Sequence, residues 1–330
     1  MKIRILYKSF LIIGYLSIFF TSCGHSSNNG PKYPSFPTGS APWGIAIDAT
    51  GVIWLTSIGV LSGTITELCP CGATIKIYPA GNNPIGIAID ASGNIWVADW
   101  GSHTIRGIHT YSVGANPIGI AIDASENMWV TNNGSDSVTE LNSTGTTIGT
   151  YQVGSNPVGL AIDASGNVWI ANNGSDTVTE LNPTGTTIGT YPAGNNPYVI
   201  AIDPSGNLWV TNNGSNYKAP SHSVTKLNPT GSIIGTYPVG DYPQGIAIDA
   251  SGNIWVVNTD SNNITELSSD GKTIGTYPAG SGPQGIAIDA YGNVWVANLG
   301  DSSVTRISNI AKGPQFFPYK GPQFPGGGNF

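Results

Sequence analysis

The sequence predicts an all-β fold, a seven-bladed β-propeller of four-stranded antiparallel blades, and two observations carry that expectation. The first is composition. The 330 residues include 45 Gly and 23 Pro, only 9% are charged, and 39% are hydrophobic. Val, Ile, Thr and Trp recur in short runs between Gly, Pro and Asn, a pattern of many short strands, and helical periodicity is nowhere sustained. The second is self-similarity. A phrase close to P-x-G-I-A-I-D-A-S-G-N-[IV]-W-V begins at Pro42, Pro84, Pro117, Pro157, Pro197, Pro243 and Pro283, at spacings of 42, 33, 40, 40, 46 and 40 residues. Four short strands fit into about 40 residues, which is one blade.

The chain starts with a targeting pattern. Lys2, Arg4 and Lys8 precede an apolar run from Phe10 to Phe20, too short to cross a bilayer as a stable helix. The run ends in FTSCG, which resembles a bacterial lipobox. That resemblance implies a signal peptide over 1–22, lipidation of Cys23, and a tether over 23–34. It places the protein in the bacterial cell envelope, at the outer membrane or cell surface, held to the membrane by its lipid alone. Ordinary secretory cleavage nearby, giving a secreted protein, is the alternative. Loss of residues 1–22 removes three basic residues and no acidic one, so a net charge of −7 becomes −10. A chain this acidic has no electrostatic case for nucleic acid. Cys69 and Cys71 then remain as an even pair in an oxidising compartment, a possible disulfide with tight spacing, or else a bare thiol pair or weak soft-metal site.

Copy 4 divides by its own punctuation into VGLAID, the turn ASGN, VWIAN, the loop NGSD, TVTEL, the turn NPTG and TTIGTY. In the first strand small and large residues alternate, as in Gly44 and Ala46 against Ile45 and Ile47, which suits stacked sheets. One Trp per copy, Trp54 to Trp295, fills the gap between blades. SFPTGSAP at 35–42 matches the end of a repeat, so the N-terminus is expected to supply the outer strand of the last blade. FFPYKG at 316–321 competes for that place. The propeller then spans 35–311, with a Pro/Gly-rich tail over 312–330.

The repeat P-x-G-I-A-I-D … G-N-x-W-V-A-N resembles that of NHL-type propellers and of the related streptogramin B lyase group. W-V-T-N-N-G-S-D-S-V-T-E-L resembles the YVTN-type surface repeat. The lyase resemblance implies a metal-assisted site with His and Glu two residues apart, yet no His-x-Glu or Glu-x-His occurs in the chain. No G-x-S-x-G surrounds a serine either. The five glutamates include Glu67, Glu140, Glu180 and Glu266 at one repeat position, read here as a solvated strand face. The D-A-S-G-N segments, headed by Asp48 to Asp289, read as hairpin turns and lack the carboxylates of a calcium loop.

The loops between second and third strands share a face with the blade-to-blade connections, around the channel mouth. They offer Asp99, Asn132, Asn172, Asn212, Asn258 and Asn298, with Ser57 in copy 1: either a ligand-binding ring or residues that cap their own turns. Copies 2 and 5 break the pattern, as DWGSHT with Trp100 and His103, and as NNGSNYKAPSHS with Tyr217, Lys218 and His222. Aromatic, basic and imidazole groups at one rim could stack on and hydrogen-bond a ligand. The expected function is therefore a monomeric binding module for a protein, peptide or glycan, needing no cofactor. A lyase of the streptogramin B type, the one case in which a divalent metal enters, is the alternative. A structural surface protein without a small-molecule site is the third.

Overall fold

In a computed structural model, residues 33–308 are described, apart from 39, 60–61, 108 and 215–221. Seven four-stranded sheets follow one another, each antiparallel and each in simple up-and-down order except the last. There Ser35–Pro37 pairs with Ser303–Ile307, Phe36 opposite Val304, so the N-terminal strand closes blade 7. This closure removes the free end that an open array would leave. Residues 312–330 and the lipobox cysteine Cys23 lie outside the described residues.

Each blade is held by the same chemistry, shown here for blade 4. The Oδ1 of Asp163 accepts the backbone N–H groups of Ser165 and Asn167, both at 2.8 Å, which closes the first turn. Its Oδ2 accepts the indole N–H of Trp169 at 3.1 Å. The D-A-S-G-N turn therefore also orients the Trp on the strand that follows it. Trp169 is 1% exposed and packs with Val178 and Ala171 against Leu208, Val210 and Leu227 of the next blade. Truncating such a side chain to Ala costs roughly 3–5 kcal/mol, and the interface recurs around the ring.

The glutamates expected on a solvated face are instead enclosed. Glu140, Glu180 and Glu266 are 3%, 5% and 7% exposed. Each accepts the phenol of the Tyr on the outer strand, as Tyr151 donates to Glu140 at 2.8 Å. That Tyr stacks on the blade's Trp, with Trp129 and Tyr151 centroids 5.7 Å apart. The Tyr of the neighbouring outer strand covers the face that the strand alternation alone would leave to solvent. Burial raises the Glu140 and Glu180 carboxyls, while the tyrosine bonds oppose that rise. In blade 5 the same place holds Lys226, which pairs with Asp203 at 3.6 Å and lies 4.6 Å over the Trp209 ring. Cys69 and Cys71 are bonded to each other across the third turn of blade 1. Cys69 stands where blades 3, 4 and 5 use Asn142, Asn182 and Asn228 to cap that turn.

Candidate functional site at the channel mouth

The second strand of blade 4, Val168–Asn172, ends in an Asn whose side chain turns into the blade. Asn132, Asn172, Asn212, Asn258 and Asn298 are all 0% exposed. Each amide donates to a threonine on the third strand of its own blade, at 2.9 Å for Asn132 to Thr139 and 2.8 Å for Asn212 to Thr225. Where the carbonyl is engaged it accepts from the connection that leads into its own blade, as Asn132 Oδ1 does from Gly114 N–H at 3.0 Å. The expected ring of ligand-facing amides is thus a set of internal struts. The last residue of each of these strands ends near the rim, and the connection that enters its blade folds over it.

Blade 2 varies the strut. Asp99 replaces the Asn, Arg106 replaces the Thr, and Arg106 Nε lies 3.4 Å from Asp99 Oδ2. Asp99 is fully enclosed, and burial raises its carboxyl above the ordinary range despite the opposing guanidinium. His103 and His222 are also explained by the repeat. They occupy the position of Asp136 and Asp176, whose carboxylates accept the backbone N–H groups of Asn156 and Asn196, both at 2.8 Å. Nδ1 of His103 accepts from Asn116 N–H at 2.9 Å, and Nδ1 of His222 from Tyr242 N–H at 3.0 Å. The departures from the repeat thus keep its hydrogen bond with a different acceptor. Trp100 keeps an open indole, 38% exposed. Tyr217 and Lys218 lie outside the described residues.

The feature that sequence reasoning missed is the residue after each repeat proline. These seven residues, with the two that follow in six of the strands and Val199 alone in blade 5, line a cavity of about 210 Å³ in the channel. Around the ring, blades 2, 3 and 4 contribute Ile85, Ile118 and Val158, an unbroken aliphatic arc. Blades 5, 6, 7 and 1 contribute Tyr198, Gln244, Gln284 and Trp43, an unbroken arc of aromatic rings and amides. Gln244 and Gln284 are each 5% exposed, and Gln284 Oε1 has no hydrogen-bond partner among the described residues. Burial beside Tyr242 raises the Tyr198 phenol above its ordinary range, so it stays a donor. The backbone of this ring is rigidly set. Thr211 Oγ1 donates to the Gln244 carbonyl at 2.9 Å, and a Cβ on Gly285 would collide with the Trp43 carbonyl. The signal was present in the sequence, as the one position where PIG and PVG change to PWG, PYV and PQG.

A buried amide acceptor without a partner is costly unless a ligand or water supplies a donor. The arrangement can therefore hold a group that is polar on one side and apolar on the other. It supplies no nucleophile with an adjacent base. Among the described residues no three His, Cys, Asp or Glu side chains come together as metal ligands, so the divalent metal implied by the lyase resemblance does not fit them.

Residues 103–317 match the Virginiamycin B lyase family, and residues 82–108 match the NHL repeat. Among curated proteins none matches the chain. Solved structures do. A streptogramin B lyase structure superposes with a TM-score of 0.72 at 20% identity, over 83% of this chain and 96% of that one. A catalytically inactive virginiamycin B lyase from Staphylococcus aureus, with quinupristin, gives 0.73 at 18% identity over 83% and 98%. Hydrazine synthase of Kuenenia stuttgartiensis gives 0.74 at 16% identity over 82% and 96%. At such identities the likeness shows the fold, which hosts unrelated activities.

Proposed function

The chain belongs to the virginiamycin B lyase family, and on that footing we propose that it is a lipid-anchored, extracytoplasmic propeller that binds its ligand at the channel mouth. One observation carries the reading: Gln284 lines the channel cavity, and its buried side-chain oxygen has no hydrogen-bond partner among the described residues. The ligand is a neutral peptide or glycan group, since no charged side chain lines the cavity and Trp43 and Tyr198 offer flat faces. Trp100 extends the same preference onto the rim. Anchoring rests on the lipobox-like FTSCG, and predicts a mature N-terminus at Cys23 carrying lipid.

The test uses a panel of neutral peptides and oligosaccharides, with quinupristin included, scored by the shift in melting temperature. Panel members that bind should stabilise the native chain and fail with Gln284→Leu combined with Trp43→Ala. Equal shifts in both proteins, or no shift with any member, would remove the channel from the reading. Quinupristin incubated with the protein and magnesium should keep its chromatographic retention and its cyclic fragmentation pattern; ring opening, which by elimination leaves the mass unchanged and gives a linear isomer, would restore the lyase alternative. Mass spectrometry of the mature protein decides the anchor.

A further inference from the structure

Wherever an aromatic ring stands on the outer strand of a blade, the neighbouring blade normally covers it. At five junctions the cover is a glycine in the next blade's third turn, among them Gly185 on Tyr151, Gly231 on Tyr191 and Gly72 on Phe36. A Cβ at any of these glycines would run into the ring, so the seat accepts glycine and nothing larger. At the junction of blades 6 and 7, Tyr33 meets Tyr277 edge-on instead, with centroids 6.2 Å apart.

The junction of blades 1 and 2 is different. Blade 2 is shortened: its third strand, Thr104–Arg106, leads to Thr110–Ser112 without the usual turn. Its Gly107 faces its own Trp96, and no described glycine of blade 2 meets Tyr78. Tyr78 stacks on Trp54 at 6.0 Å and donates to Glu67 at 2.8 Å, as its counterparts do. Among the described residues the Lys76 ammonium lies over this ring, 4.6 Å from its centroid, and Lys76 stands where the other full blades have glycine. Beside it Ile75 and Ile77 are 55% and 51% exposed. Trp54 is also less enclosed than the other repeat tryptophans.

We infer that the open face of Tyr78 is a docking seat, and that its occupant is this chain's own segment 312–328. The five filled seats define what fits, a glycine in a tight bend against a ring. The segment carries Gly313 and Gly321, each between Lys and Pro, and then Gly326, Gly327 and Gly328. Its origin is suitably placed. The last described strand, Ser303–Ile307, belongs to blade 7. The junction next to it, with blade 1, is already filled by Gly72 on Phe36, and the following one is the open seat. Twenty residues from 309 to 328 reach at most about 65 Å when extended, so length does not limit the contact. The docked segment would move Lys76 off the ring and cover Ile77.

The experiment compares amide exchange in the full mature chain with that of a variant in which all five tail glycines are alanine. Exchange over 74–79 should be about tenfold faster in the variant, with 187–192 of blade 4 unchanged. A synthetic peptide of residues 312–328 should restore the protection when added to the variant. Equal exchange over 74–79 in both proteins would overturn the inference, as would equal acceleration of both strands. Failure of the peptide to protect would do so too, leaving Lys76 as the permanent cover. None of these outcomes depends on ligand binding in the channel.

Discussion

The Asp99–Arg106 pair offers the sharpest check on the claim that blade 2 departs from the repeat for internal reasons. In blade 3 the equivalent residues are Asn132 and Thr139, joined by a 2.9 Å bond in the same register, Val130 opposite Thr139 as Val97 is opposite Arg106. Arg106→Thr would leave a carboxylate with 0% exposure and no cation. Breaking a fully buried pair in this way costs about 3–5 kcal/mol. The Arg106 side chain is 38% exposed, so solvent screens part of the interaction and about 2–3 kcal/mol is the expected loss. Adding Asp99→Asn should rebuild the neutral strut and return the double variant to within about 1 kcal/mol of the native chain. Urea denaturation at pH 7, followed by tryptophan fluorescence, measures both. Because burial raises the folded-state carboxyl of Asp99 above its ordinary 3.8, the folded protein holds that proton more tightly than the unfolded chain. Stability linked to this group is therefore greatest below pH 3.8 and declines as pH rises through the raised value. The decline should steepen in Arg106→Thr and vanish in the double variant. A single variant as stable as the native chain, or a double variant as weak as the single, would refute the reasoning.

The two histidines give a second check. His103→Asn and His222→Asp install residue types that other blades use at that position, and should stay within about 0.5 kcal/mol, whereas either His→Ala should lose about 1 kcal/mol with its acceptor. Loss of ligand binding in His222→Asp would return the imidazole to the site. A third concerns alkaline pH. Burial, reinforced by bonds to Glu140 and Glu266, pushes Tyr151 and Tyr277 up to about 12 from the ordinary 10.0. Their contribution is complete below pH 10 and is lost as pH climbs towards 12. The urea midpoint should fall across that interval, and fall less in Tyr151→Phe with Tyr277→Phe; an unchanged slope would reject the assignment.

The architecture was legible because every blade solves the same problem with the same residues. Asp at the first turn, Trp six residues later and Gly at the third turn each satisfy a local demand for a cap, an indole acceptor or a ring-covering bend. Such demands leave a fixed spacing in the chain. The outer closing strand was legible for the same reason, since Ser35–Pro37 carries the ending of a repeat. What could not be read was the direction in which polar residues face once neighbouring blades arrive. Asn172 and Glu180 look like surface residues within their own strands. The connection leading into the blade covers one and the tyrosine of the outer strand the other, and both contacts lie outside the local pattern.

That difference also says where a site should be sought in such a chain. A repeated polar residue is repeated because each blade needs it, and here the asparagines, glutamates and first-turn aspartates all proved to be internal partners. Even broken copies can be compensated, as His103 and Arg106 show. Packing places no comparable demand on the residue after the repeat proline, whose side chain meets the channel instead of another blade. Its identity is free to differ around the ring, and it differs in blocks, aliphatic over blades 2 to 4 and aromatic or amide over blades 5 to 7 and 1. The grouping of these types into two arcs, with an unpartnered Gln284 oxygen within the polar one, gives the channel a polarity that a purely structural propeller does not require.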